Sequence, residues 1–469
     1  MKGNKQTKYM NKKLIIAILG LVFGMNMQAE DKVPTVLELS LTQAQDYAVE
    51  QNRSLRNASL AVQQSQMQRW QTIASMLPQV QGTLGYTNMF NYEINFGGTG
   101  SNSQMDALYG LFAKMGIDTT GMTGSASSSM SRKMLPYVNA GIQASIALNA
   151  QMVVGALLNN LAVDMQKVTY SQNETNLRSS VTTSYVSVLV MEDILQLLDS
   201  SLMNIQALAE ISQQAVNVGA AEQTTADQLR VRVNTLKNSI NSSKRNLELS
   251  KNSLKVLLDV PAETQLVLTS KMDEMLSAEN VLKLLGEDFN INNNYNYQLL
   301  QMNTELAKKN VTMAAVAYVP TLSAYYQYTY RKDIGEGGFN MTPPHTAGVS
   351  LTMPLFTAGK NGAAIKEKKL AYQAAQNTLA ETKDNLGIQY QQLRFNLQNA
   401  YEAYINEKDN MEVTQRVFAS TTNKFHWGAA SNLELTNASN DLISAQSNYV
   451  QAIMALVNAQ VELEKFLNN

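Results

Sequence analysis

Residues 427–467 read WGAASNLELTNASNDLISAQSNYVQAIMALVNAQVELEKFL, and this stretch decides the fold. Leu435, Ala438, Leu442, Ala445, Tyr449, Ala452, Leu456, Ala459, Leu463 and Phe466 recur at alternating steps of three and four. That 3.5-residue period is the seam of a left-handed helical coil. Large and small residues alternate along most of it, which lets neighbouring backbones approach closely. Ahead of the helix stands a glycine-centred turn, Trp427-Gly428-Ala429-Ala430.

Working outward, the prolines mark how far such helices extend. They are Pro34, Pro78, Pro136, Pro261, Pro320, Pro343, Pro344 and Pro354, so 151–260 and 355–469 contain none. Proline breaks helix interiors, and its absence permits very long helices. The first stretch has its own glycine turn, Val218-Gly219-Ala220-Ala221. Each turn has about 66 residues on its longer side, roughly 100 Å of helix, and about 37 on its shorter side, roughly 55 Å. Leu229, Val233, Leu236, Ile240, Leu247, Leu254 and Leu257 keep the same seam, with Ser243 and Ser250 at the missing steps. Leu177, Val181, Val188, Met191, Leu195, Leu198, Leu202 and Ile205 keep it too. Such stripes predict packing seams rather than cofactor boxes.

Between the helices lie segments of period two. Val80, Gly82, Leu84 and Tyr86 alternate with Gln81, Thr83, Gly85 and Thr87, and Val138 to Leu148 alternates with Asn139, Gly141, Gln143 and Ser145. Leu322, Ala324, Tyr326, Tyr328 and Tyr330, then Ala347, Val349, Leu351, Met353 and Leu355, do the same. Four strands in two hairpins are predicted, each with one apolar and one polar face. The alternation fits both a soluble antiparallel sheet and a membrane barrel wall. The first hairpin loop, about Asn91 to Leu135, is rich in Gly, Ser and Met; the second runs from Asp333 to His345.

The N-terminus favours the membrane. Lys2, Lys5, Lys8, Lys12 and Lys13 precede an apolar run from Leu14 to Gly24 and then Met27-Gln28-Ala29, the order of a secretory signal peptide over 1–29. No later segment reads as apolar enough for a spanning helix, so insertion is expected to use strands closed into a barrel. Single-chain outer-membrane barrels begin at about eight strands, so four per chain require copies to share one barrel. Cysteine is absent, which excludes disulfides and thiolate metal sites. Charged residues are only 16% and net charge is −1, which gives no basic patch for nucleic acid.

The halves align when Leu77-Pro78-Gln79-Val80 is set over Val319-Pro320-Thr321-Leu322. Each then runs helix, strand, strand, long helix, glycine turn, shorter helix, an internal duplication. The first unit is 30–259, with a helix at 42–77, strands at 79–90 and 136–149, and helices at 151–216 and 222–258. A linker fills 260–288. The second unit is 289–469, with a helix at 290–318, strands at 320–332 and 345–356, and helices at 360–425 and 431–467.

The strand-to-helix passage Val349-Ser350-Leu351-Thr352-Met353-Pro354-Leu355-Phe356-Thr357-Ala358-Gly359-Lys360 resembles the signature of the TolC family of outer-membrane efflux proteins. Ala317-Tyr318-Val319-Pro320-Thr321-Leu322, Leu257-Leu258-Asp259-Val260-Pro261 and both glycine turns add to the likeness, which covers essentially the whole mature chain. The first half departs from it, with Ser145-Ile146-Ala147-Leu148-Asn149-Ala150 lacking the proline and phenylalanine. The resemblance implies an α+β membrane protein: a homotrimer with a shared twelve-stranded β-barrel in the outer membrane of a Gram-negative cell and a long coiled-coil α-helical barrel in the periplasm. It implies a passive exit duct of a tripartite efflux or type I secretion system, with a periplasmic adaptor and an inner-membrane transporter as partners.

The resemblance also assigns sites. The tips Val218, Gly219, Ala220, Ala221 and Trp427, Gly428, Ala429, Ala430 are where an adaptor would dock. Glu434 matches a carboxylate six residues beyond the second glycine, at the family's acidic aperture, and Asp227 lies near the equivalent Thr225. Asn437 replaces a second family carboxylate, and Ala430 stands where an arginine can latch the aperture. As plain structure, each tip is a helical hairpin and Glu434 a solvated helix residue. No enzyme or cofactor is expected: the only histidines are His345 and His426, with no convergent acid/base group. The competing reading is a trimeric coiled-coil surface adhesin or structural protein, which needs neither two hairpins nor paired glycine turns.

Overall fold

The computed structural model describes residues 36–90, 93–96, 111–116, 130–133, 135–219, 221–272, 276–335 and 342–467. The signal-peptide reading of 1–29 and the tip residue Ala220 lie outside them. The chain divides into two compact units, one built from segments up to Arg53, Leu177–Gly286 and Asn396–Glu462, the other from Ser54–Asn176, Glu287–Phe395 and Leu463 onward. Neither unit is one sequence half, because the long helices contribute residues to both.

In the first unit, strand β1 (Val36–Leu39) pairs in parallel with β6 (Gln265–Leu268). Helix α1 (Leu41–Gln51) begins in a capping box: Ser40 Oγ accepts from the Gln43 N–H, and Gln43 Oε1 accepts from the Ser40 N–H. Ala44 and Ala48 of α1 pack on Val181, Tyr185 and Val188 of α3 (Ala150–Asn217), on Leu254 and Leu258 of α4 (Gln223–Leu258), and on Leu266. Further along, Leu195, Leu198, Ile205 and Leu208 of α3 meet Leu229, Val233, Leu236 and Ile240 of α4. Phe418 of α7 (Lys360–His426) and Leu435, Ala438 and Leu442 of α8 (Asn432–Leu467) close the cluster. Seam residues thus form the core that the 3-4 spacing demands.

Three sequence expectations are corrected. The single helix at 42–77 is two, α1 and α2 (Arg53–Ala74). Asn52 takes an extended backbone between them, and its side-chain amide donates to the Leu257 carbonyl at 2.9 Å, an alternative to helical bonding. The 260–288 linker carries β6 and a helix, α5 (Ala278–Leu285), capped by Ser277. Finally, α3 is long and apolar enough to cross a membrane by length and composition. Nearly half of its most apolar window is buried, and Val181, Tyr185, Val186 and Val188 show where that apolarity goes.

The second unit holds a four-stranded antiparallel sheet in the order β2 (Gln79–Thr87), β5 (Tyr137–Leu148), β7 (Thr321–Asp333), β8 (His345–Thr352). Within the first hairpin loop, β3 (Glu93–Phe96) and β4 (Met130–Lys133) form an antiparallel ribbon. Strand β8 stops at Thr352, short of the expected 356, because Pro354 has no N–H to give the ladder and the chain turns through positive φ at Ala358 and Gly359. Helix α6 (Tyr295–Ala315) starts at the Asn294 cap, whose amide also donates to the Phe466 carbonyl. Phe289, Tyr390 and Phe466 stack around that point.

Candidate functional site

The first unit brings the starts of α4 and α8 together, each just past a glycine turn. At the second turn Gly428 takes φ 71°, its N–H donates to the Phe425 carbonyl at 3.0 Å, and the Ala429 N–H donates to the Lys424 carbonyl at 2.8 Å. This is a Schellman closure, and only glycine adopts its left-handed position without strain. Gly219 takes φ 75° at the first turn. A Cβ at either glycine would meet no atom within 4 Å, so φ and not space selects the residue. Val218 and Trp427 are 79% and 81% exposed, leaving each tip with a bare apolar side chain. His426 meets the Trp427 ring edge-on at 5.1 Å.

Both carboxylates assigned from sequence are exposed and held by their own helices. Asp227 accepts from Gln223 Nε2 at 3.0 Å. Glu434 Oε2 accepts from the Ser431 N–H at 2.6 Å and from Ser431 Oγ at 2.9 Å, while Ser431 Oγ accepts from the Glu434 N–H at 3.2 Å. This is a capping box, legible in Ser431-Asn432-Leu433-Glu434 but not drawn from it above. The Ser431 backbone bond, then its hydroxyl bond, hold the Glu434 carboxyl below its ordinary pKa. Glu434 is therefore ionised at neutral pH and fixed at the mouth of α8.

Sequence reasoning missed Arg232. Its Nε donates to Ser439 Oγ at 3.2 Å and its Nη2 to the Thr436 carbonyl at 3.3 Å, tying α4 to α8. Burial lowers the guanidinium pKa, yet the group stays charged. Gln228 and Asn432 bond one turn nearer the tips. Arg232 is flanked by the seam residues Leu229, Val233 and Leu236, and a half-buried arginine beside a seam was the available signal.

In the second unit, the two central strands of the sheet, β5 and β7, invert the usual burial. Cross-strand register aligns Val80, Ala144, Tyr326 and Ala347 in one row, and Leu84, Ala140 and Tyr330 in another. The aliphatic side chains Val80, Leu84, Ile142, Ile146, Val349 and Leu351 thus share one face, while Tyr137 and Tyr325 stand on the other. That face is the open one: Leu84 is 81% and Val349 75% exposed. Along β7 the apolar-face residues Tyr326, Tyr328 and Tyr330 are exposed, whereas Gln327, Thr329, Arg331 and Asp333 of the other face are sheltered. The polar face carries two charges, Arg331 and Asp333, and they pair with each other at 2.9 Å, with Arg331 lying over the Tyr137 ring. His345 stands on the apolar side, bonded to Tyr326 Oη and packed on Tyr328. Among the described residues, no group of three His, Cys, Asp or Glu could hold a metal ion.

Residues 291–469 match the model of the family described as outer membrane efflux protein. No curated protein matches the chain. Solved structures with this fold include CusC, described through folding and transmembrane channel formation, at 16% identity and TM-score 0.68, covering 94% of this chain and 95% of that one. The outer membrane protein VceC of Vibrio cholerae matches at 13% identity and TM-score 0.66, covering 92% and 96%. The open-state MtrE outer membrane channel of Neisseria gonorrhoeae matches at 16% and 0.63, covering 95% and 94%.

Proposed function

We propose that this chain is the outer-membrane exit duct of a tripartite efflux or type I secretion system, a reading supported by the match of residues 291–469 to the outer membrane efflux protein family model. The observation that carries this reading is the inverted sheet. An apolar face left open to its surroundings, with most polar side chains of the two central strands more sheltered, costs free energy in water but suits a wall between lipid and an aqueous lumen. The surface adhesin reading has no use for such a face.

Both edge strands, β2 and β8, pair on one side only among the described residues. Open edges do not occur within hydrocarbon, so copies must join edge to edge. Three chains of four strands make a twelve-stranded barrel, and the repeated element order reads as duplication of one hairpin-and-helix unit. The helices then form the periplasmic conduit. The tips Val218 to Ala221 and Trp427 to Ala430 dock an adaptor that couples the duct to an inner-membrane transporter. Glu434, with Asp227, lines the aperture. The duct itself does no chemistry.

Planar-bilayer recording on the purified protein tests this. Discrete conductance steps are expected; no channel at any voltage or pH would defeat the reading.

A further inference from the structure

Register puts three amides and a hydroxyl side by side across the whole sheet: Gln81 beside Gln143, Gln143 beside Gln327, Gln327 beside Thr346. With strands about 4.8 Å apart this row is roughly 14 Å wide. Gln327 Nε2 donates to Thr329 Oγ1 at 3.1 Å, which holds its amide in place. The adjacent row is Gln79, Ser145, Tyr325 and Gly348.

In that row the Tyr325 ring lies against the backbone of Gly348: a Cβ there would sit 2.6 Å from Tyr325 Cε1 and 2.9 Å from its Cζ. The ring is held against the Gly348 backbone and Tyr325 remains 45% exposed. The ring is a platform beside a band of amides. The nearest charges on this face, Arg331 and Asp333, neutralise each other. A charged cargo would find no counter-charge, and an aliphatic one would strand the amides.

We infer that this face binds neutral, polyhydroxylated cargo, the oligosaccharide class. Hydroxyl groups can bond the donors and acceptors of Gln81, Gln143 and Gln327, and the C–H face of a sugar ring can lie on Tyr325. The inference rests on the duct reading, which turns this face toward the lumen.

The test adds maltohexaose from the barrel side to single channels of the full-length trimer. The sugar should produce resolved current interruptions. Tyr325→Ala and the pair Gln143→Ala with Gln327→Ala should each shorten them about five- to tenfold. Tyr325→Phe keeps the ring and should preserve them. Gly348→Ala displaces the ring and should act like Tyr325→Ala. Conductance that falls only with solution viscosity, equally in wild type and Tyr325→Ala, would overturn the inference while leaving the duct intact. Calorimetric titration of the protein in detergent micelles with maltohexaose decides the site even if no channel forms. Heat lost in Tyr325→Ala supports it, and no heat in wild type overturns it.

Discussion

Ser431 and Glu434 cap each other at the start of α8, with the Glu434 carboxylate 2.6 Å from the Ser431 nitrogen. A side chain so engaged has a structural role whether or not it also faces an aperture, and the two roles separate by substitution. Glu434→Gln keeps a group that can cap but removes the charge. If three such carboxylates surround one axis, Glu434→Gln lowers cation preference, read from the reversal potential in a salt gradient. Unchanged selectivity would take Glu434 out of the constriction. The capping role has a pH signature of known sign. The folded carboxyl is held below its ordinary value, so its contribution is complete above the unfolded carboxylate pKa near 4.3 and is lost as pH falls through the folded value. Glu434→Ala should therefore lower the unfolding midpoint at pH 7, with the difference from wild type vanishing in strong acid.

Arg232 reaches α8 through two bonds that a lysine cannot reproduce, because an ammonium lacks the planar fork. Arg232→Lys and Arg232→Met are both expected to destabilise by about 1 kcal/mol, the modest end for a charged donor that keeps part of its exposure. Chemical unfolding checks this. A lysine variant as stable as wild type would show that charge alone, not the two-point contact, holds the pair of helices.

Tyr185 is fully buried, and its hydroxyl donates to the Leu39 carbonyl at 2.9 Å while accepting from the Ser270 N–H at 3.1 Å. It joins α3 to the C-terminal ends of both strands of the β1–β6 pairing. Tyr185→Phe keeps the ring but removes the acceptor of the Ser270 N–H, while the Leu39 carbonyl keeps its bond from the Thr269 N–H, with an expected loss of about 1–3 kcal/mol. The same change at an exposed tyrosine such as Tyr330 should be near neutral by the same measurement.

How much of this was legible follows the range of each interaction. Seams such as Leu435, Ala438 and Leu442 were readable because a helix writes its buried face into local spacing. The strand faces were readable for the same reason. Which face of the sheet would be sheltered was not, since alternation is identical for a soluble sheet and a barrel wall; only the partial burial of Gln327 and Thr329 beside the exposed Tyr326, Tyr328 and Tyr330 shows it. The break at Asn52 was hidden because Ala44, Ala48 and Leu55 keep a helical rhythm across it, while the bond that fixes it comes from Leu257. Arg232 was missed likewise, its partners Thr436 and Ser439 lying some 200 positions away.

The inverted sheet yields the sharpest contrast, between neighbours on one strand. Ile142 points to the open apolar face and Gln143 to the sheltered polar one. Each pairs in register on β7, Ile142 with Tyr328 and Gln143 with Gln327, so neither can change sides without a slip that would flip every residue of β5. An arginine facing lipid near the bilayer midplane costs about 2–4 kcal/mol, whereas one facing water in a lumen costs little. Ile142→Arg should therefore fail to insert into liposomes, or do so with that loss in folding equilibrium. Gln143→Arg should insert normally and shift the open channel toward anions. If the two substitutions behaved alike, or if Gln143→Arg were the damaging one, the polar face would be the one against lipid, and the barrel reading would fall.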